Sequence, residues 1–222
     1  MPSNVKFKIL LTHLLMNYTG QLVSIMKNNN YAKLRINGGY LKGRSIPLPD
    51  TKFTRPTKSI IRESLFNHLG ANVLQMIFIE AFAGSGSVGI EALSRGAKQA
   101  IFIEAESCIY QQLKENLVHL QLDSLANTHL ADSLEILPSI LLNLNAPAIL
   151  YLDPPFPIRI GKESLYESLL LLLPTLCLQH IEYIIFEVMS GLNIPESLGH
   201  LTHSKERKFG KTSIHYYTKR ES

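Results

Sequence analysis

Asp153-Pro154-Pro155-Phe156 follows an apolar run from Ala148 to Leu152 and is the sharpest chemical pattern in the chain. Proline locks φ and has no N–H, so two in succession make a rigid strand exit that leaves the Asp153 carboxylate and the Pro154 carbonyl as acceptors. Both can point at a single –NH₂ group. Phe156 adds a flat apolar face on which a nucleic-acid base drawn from its stack can lie. The amine of such a base is a poor nucleophile because its lone pair is delocalised into the ring. Two acceptors on its hydrogens fix it for in-line attack, and alignment of that kind contributes up to about 7–11 kcal/mol. Asp153 is therefore expected to orient and polarise an amine without serving as a strong general base.

A second constellation lies upstream. Gly84-Ser85-Gly86-Ser87-Val88-Gly89 satisfies G-x-G-x-x-G between an apolar strand and a helix, where missing β-carbons let the backbone turn sharply and approach a ligand. Glu104, twenty residues after Gly84, ends the next strand, where a carboxylate can accept from both hydroxyls of a ribose. A dinucleotide and S-adenosylmethionine both accept this much. Glu80, four residues before Gly84, decides between them by charge, since a carboxylate there attracts an α-ammonium and repels a pyrophosphate. Asp132 falls where a third strand should end and can accept from an adenine amino group, although a helix N-cap explains it equally well. Glu80, Phe82, Gly84, Ser85, Gly86, Glu104 and Asp132 form the expected set for S-adenosylmethionine.

These residues need strands to carry them and helices to cover the strands. Short apolar runs at Met76–Ile79, Ile101–Ile103, Ala148–Leu152 and Tyr183–Val188 alternate with helical patterns at Val88–Leu93 and Ile109–Leu120. Ile214 to Thr218 reads as a final strand. The alternation predicts an α/β, Rossmann-like fold, a mostly parallel sheet with helices on both faces and ligands at the carboxyl ends of its strands. Leu34 to Leu48, turning at Asn37-Gly38-Gly39, reads as a β-hairpin, and Thr57 or Ser59 caps a helix that closes at Gly70. The expected division is an extension at 1–30, helical or mobile, a basic hairpin-and-helix appendage at 31–70, and the catalytic domain at 71–222.

The net charge of +4 hides an asymmetry. Lys33, Arg35, Lys42, Arg44, Lys52, Arg55, Lys58 and Arg62 share a stretch whose only acid is Asp50, a local excess of +7. A concentrated basic surface suits phosphates, although a solvated face is the alternative. Cys108 and Cys177 form no C-x-x-C pattern and the histidines are scattered, so no disulfide framework and no metal site are expected. The apolar run Ile9–Met16 is too short to span a bilayer and lacks a cleavage site, which points to the cytoplasm and away from a membrane. No long apolar surface stretch remains unassigned, so a monomer is expected.

With these residues in place the chain resembles the bacterial small-subunit ribosomal RNA guanine-N2 methyltransferase family, the RsmD type, over about Leu34 to Tyr217. The resemblance rests on Arg35-Ile36-x-Gly38-Gly39 with Lys42-Gly43-Arg44, and on Arg55-Pro56-Thr57 with Arg62-Glu63-x-Leu65-Phe66-Asn67. It continues through Phe82-Ala83-Gly84-Ser85-Gly86-x-x-Gly89-x-Glu91-Ala92-Leu93-Ser94-Arg95-Gly96-Ala97 and Asp153-Pro154-Pro155-Phe156. It implies a seven-stranded class I methyltransferase fold, S-adenosylmethionine as donor, and a guanine of 16S rRNA, free or in an assembling small subunit, as acceptor. It further implies RNA contact by the basic hairpin, here Arg35, Lys42, Arg44, Arg55 and Arg62. Glu80 and Glu106 stand where the family commonly has aspartate, and Lys211 where it commonly has an acid. Three other readings stay open: an adenine-N6 methyltransferase on DNA or RNA, which uses the same acceptor geometry, a nicotinamide-dependent oxidoreductase, which would use the same glycine turn, and a non-catalytic RNA-binding assembly factor.

Overall fold

The computed structural model describes residues 33–48, 56–155 and 163–219. Two short strands, β1 (Lys33–Arg35) and β2 (Ser45–Pro47), pair antiparallel and lead to helix α1 (Pro56–Leu69). Next come β3 (Ile77–Glu80), α2 (Ser87–Ser94), β4 (Gln99–Glu104), α3 (Ser107–His119), β5 (Ala126–Leu130) and α4 (Ser133–Leu142). The chain continues through β6 (Ala148–Leu152), α5 (Glu163–Leu172), β7 (Ile181–Met189), β8 (Ser197–Leu198), β9 (Leu201–Phe209) and β10 (Thr212–Lys219).

Eight strands form the main sheet in the order β5-β4-β3-β6-β7-β10-β9-β8. The pairs from β5 to β7 are parallel, and β10, β9 and β8 add antiparallel neighbours beyond β7. The resemblance implies seven strands; the eighth is the two-residue edge strand β8. Chain order reverses direction across the sheet between β3 and β6, the place where an open α/β sheet parts its loops to admit a ligand.

Side-chain alternation sorts each strand onto two cores. Phe78, Phe102, Ile149, Tyr151, Ile185, Ile214 and Tyr216 pack beneath Ile61, Leu65 and Phe66 of α1 and Leu113 and Leu117 of α3. Ile79, Ile103, Leu150, Leu152, Phe186 and Val188 face Leu137 and Leu141 of α4 and Tyr166 and Leu169 of α5. At the carboxyl ends the same period carries Glu80, Glu104, Asp153 and Glu187 onto the α1 and α3 side.

The N-terminal hairpin differs from its sequence reading beyond Gly39. Tyr40 and Leu41 leave the ladder because their N–H groups are taken by the Ser94 carbonyl (2.9 Å) and the Ser94 hydroxyl (2.9 Å) at the end of α2. Ser94 in turn donates to the Gly38 carbonyl at 2.6 Å. Arg62, expected among the RNA-binding cations, is a correction. It is 2% exposed, its Nε lies 2.6 Å from Glu91 Oε2, and its Nη2 donates to the Arg35 carbonyl at 2.7 Å. Arg95 meets the other Glu91 oxygen at 2.8 Å and lies over the Phe66 ring. A buried charge is tolerated only when paired and hydrogen-bonded, so Arg62 joins appendage to sheet and is withdrawn from solvent.

Candidate active site

The turn after β3 is shaped by two glycines. Gly86 has φ +77° and starts α2; a β-carbon there would stand 2.3 Å from Leu113 Cδ1. Gly84 has φ +52°, and nothing lies within 4 Å of where its β-carbon would be, so the backbone faces open space on that side. An L-residue with a side chain disfavours both conformations. Glu104 closes the far wall: its Oε2 accepts from Gly84 N and its Oε1 from Glu106 N, both at 2.8 Å. Ser85 is buried and its carbonyl accepts from Asn116 of α3, while Phe82 is half-buried against the α4 and α5 core.

Glu80 is held differently from the free carboxylate that an ammonium would meet. Its oxygens accept from Val88 N (3.3 Å) and Gly89 N (2.8 Å) in the first turn of α2. Burial raises its pKa to about 8, partly offset by those two bonds. Glu80 thus braces the glycine turn from below, and its carboxyl group lies beneath the backbone a cofactor would approach. Asp132 caps α4, its Oδ1 accepting from Leu134 N at 2.7 Å, while Ser133 donates to the Ala81 carbonyl beside β3.

Asp153 emerges from β6 with its side chain 20% exposed, and its Oδ2 lies 3.1 Å from Lys58 Nζ in the first turn of α1. Among the described residues Oδ1 has no donor. The Pro154 carbonyl is buried and accepts from Tyr166 of α5 at 3.2 Å, which leaves its second lone pair. Pro155 is exposed. Phe156 and Arg55 lie outside the described residues.

Sequence reading missed four neighbours: Lys58, Tyr151, Tyr166 and Glu187. Register puts Leu152 opposite Phe186, so Asp153 comes level with Glu187 on the adjoining strand. The Tyr151 hydroxyl donates to Glu187 Oε2 at 2.7 Å, two residues before Asp153 on the same face. Burial and then the Asp153 charge raise Glu187 to about 8, opposed by Lys58 and the Tyr151 bond. The Lys58 ammonium is held above its ordinary value chiefly by Asp153, against desolvation. The signal available was parity, since Tyr151 and Glu187 fall on the Asp153 face once β6 and β7 are set side by side.

The other expected RNA contacts lie elsewhere. Arg35, Lys42 and Arg44 are exposed, and Arg44 Nη2 donates to the His119 carbonyl at the far end of α3. With a rise of 1.5 Å per residue, that contact lies about 18 Å along α3 from Ser107, which follows Glu104 at the end of β4.

A family model described as Conserved hypothetical protein 95 matches residues 34–218. The chain belongs to that family. The Bacillus subtilis protein YlbH is 32% identical over 188 residues, covering 84% of this chain and 100% of YlbH. The Ribosomal RNA small subunit methyltransferase D of Haemophilus influenzae is 35% identical over 144 residues, 64% of this chain and 73% of that protein. The solved structure of yhhF from Escherichia coli superposes with a TM-score of 0.66 at 30% identity, over 85% of this chain and 98% of that one. The Conserved hypothetical protein 95 member described here is accordingly an S-adenosylmethionine-dependent methyltransferase. Among the described residues no helix is long and apolar enough to cross a membrane, and no cluster of metal-ligating side chains occurs.

Proposed function

We propose that the chain methylates the exocyclic N2 amine of a guanine in small-subunit ribosomal RNA. The observation that carries this reading is the pair of acceptors at the end of β6, the Asp153 carboxylate and the Pro154 carbonyl, next to the open glycine turn at the sheet's switch point. Glu104, Gly84, Ser85 and Gly86 would hold the cofactor, with Phe82 beside them and Glu80 supporting the turn; S-adenosylmethionine supplies a methyl group on a good sulfonium leaving group.

The protein's part is positioning. Lys58 holds Asp153 Oδ2, which leaves Oδ1 for one amine hydrogen, while the second lone pair of the Pro154 carbonyl takes the other. Tyr166 fixes that carbonyl through its hydroxyl. Once the nitrogen has gained a methyl group it must lose a proton, and Asp153 is the nearest carboxylate to receive it. Lys58 is paired with Asp153, and Glu187 and Glu80, raised to about 8, hold their protons near neutral pH; a positively charged donor group would favour their ionised forms, whereas an anionic one would not. The likeness to relatives named as small-subunit ribosomal RNA methyltransferases supports the choice of acceptor.

The test is transfer of labelled methyl from S-adenosylmethionine to small ribosomal subunits lacking the modification, to free small-subunit RNA and to duplex DNA. Label in either ribosomal acceptor is expected. Label in DNA alone would replace the acceptor class, and no label in any of them would leave a non-catalytic RNA-binding role.

A further inference from the structure

Beyond Lys58, a second group of cations lies on strand β9 and in the turn that follows it. Register carries the Asp153 level across the sheet: Glu187 pairs with Ile214 on β10, and Ile214 pairs with Arg207 on β9. Two strand spacings therefore separate Arg207 from Glu187, or about 9.6 Å, on the same face of the sheet. Lys205 lies on that face two residues below, Lys208 on the opposite face, and Lys211 in the turn between β9 and β10.

This hairpin is a firm platform. Ser190, at the end of β7, receives the turn: its N–H donates to the Lys211 carbonyl and its hydroxyl to the Gly210 carbonyl, both at 3.0 Å. Ser213 donates to the Ser190 hydroxyl at 3.1 Å. Arg207 is tied to Ser64 of α1 at 2.8 Å.

The charge on the hairpin is largely uncompensated. Among the described residues Lys205, Arg207 and Lys211 have no carboxylate partner, and Lys208 has only Glu206, at 3.6 Å, the two side chains 65% and 32% exposed. Exposed pairs of that kind contribute little. The His68 imidazole, tilted against Tyr216 at 4.1 Å between ring centroids, is held below its ordinary pKa by burial and then by the nearby Lys205 and Arg207. Gathered like charges cost self-repulsion unless an anion arrives.

We propose that the β9–β10 hairpin grips the RNA phosphates that flank the methylated nucleotide, through Lys205, Arg207, Lys208 and Lys211. The proposal rests on the RNA-methyltransferase reading above. A base drawn out of its stack stays tethered to its own phosphates, so the groups that hold those phosphates stand at the same end as the site. Lys42 and Arg44, on the hairpin that meets the far end of α3, are placed for a more distant segment of the acceptor.

The experiment is binding of fluorescently labelled small-subunit RNA by the full chain at several salt concentrations, with methyl transfer measured separately. Lys205→Ala/Lys211→Ala leaves the Arg207–Ser64 bond intact. It is expected to bind RNA about tenfold more weakly near 0.2 M salt, with the log–log salt slope flatter by about 1.4 to 2, while S-adenosylhomocysteine affinity and melting temperature stay as in the unaltered chain. Lys205→Arg/Lys211→Arg should restore both affinity and slope. An unchanged slope in the alanine pair, with Lys42→Ala/Arg44→Ala flattening it instead, would overturn the proposal. Failure of the functional reading has a different signature: the unaltered chain would bind RNA with the predicted hairpin dependence yet transfer no methyl group. Absence of any RNA binding would sink both.

Discussion

Two buried glutamates sit one helix apart and live in opposite surroundings. Glu91 is fully buried between two arginines, Arg62 at 2.6 Å and Arg95 at 2.8 Å, with Asn37 N a further donor at 3.3 Å. Glu80 is as deeply buried but has only backbone N–H donors, and its pKa climbs to about 8. At the Glu91 seam the buried carboxylate is paired with two guanidiniums, so the cluster fixes the hairpin and α1 to α2. At the end of the sheet Lys58 pairs with Asp153, and Glu80 and Glu187, with no cation in contact among the described residues, hold their protons up to about pH 8. A carboxylate with cationic partners fastens the scaffold, and carboxyl groups without them gather at the proposed site.

The sharpest break of that contrast is Asp153→Ala. It should lower kcat about 10²- to 10⁴-fold and leave S-adenosylhomocysteine affinity within about twofold, since Asp153 is proposed to face the acceptor. An accompanying loss of cofactor affinity in calorimetry would move Asp153 to the donor side. Glu91→Leu should instead attack the scaffold. It leaves Arg62 buried without its partner and should cost about 3–5 kcal/mol of unfolding free energy in urea melts. A loss below about 1 kcal/mol would mean that the seam is not the fastening described here.

Glu104→Ala removes a carboxylate that now binds two backbone N–H groups. Charged hydrogen bonds of about 1.5–3 kcal/mol predict a roughly 10- to 100-fold fall in cofactor affinity with RNA binding unaltered. Titration of both ligands separates the two effects. A further expected effect is on pH dependence. Glu80 and Glu187 titrate near 8 in the folded chain against an ordinary 4.5, so folding retains protons that the unfolded chain releases. Stability should therefore decline as pH rises from about 4.5 to 8, and Glu80→Gln should make that decline shallower in thermal melts at pH 5 and pH 8. Equal slopes in the two proteins would show that Glu80 keeps no such proton.

The strand-ending residues were legible in the sequence because their signals are local. Apolar runs, a glycine turn and two prolines placed Glu80, Gly84, Glu104 and Asp153 without knowledge of the sheet order. Asp132 was legible only as a choice, and the α4 cap is what the structure displays. Arg62 misled because a basic stretch counts charge and says nothing of burial; its partner Glu91 lies 29 residues on, in another helix. Lys58 was invisible for the same reason, since α1 meets Asp153 only through tertiary packing, whereas Glu187 becomes legible once β6 and β7 are set side by side. Strand β9, rich in charge and lacking a clean apolar alternation, is held by its ladder to β10 and carried no pattern to read. Tyr40 and Leu41 show the converse, where contacts with Ser94 override a strand-like alternation.

The most direct test of the central claim is the identity of the product. RNA methylated by the unaltered chain should be digested to nucleosides and separated by mass-resolved chromatography. N2-methylguanosine is the expected product, because Asp153 and Pro154 are proposed to hold the exocyclic amine of a guanine. Methyl groups on a ring nitrogen, a ring carbon or a ribose hydroxyl would contradict it.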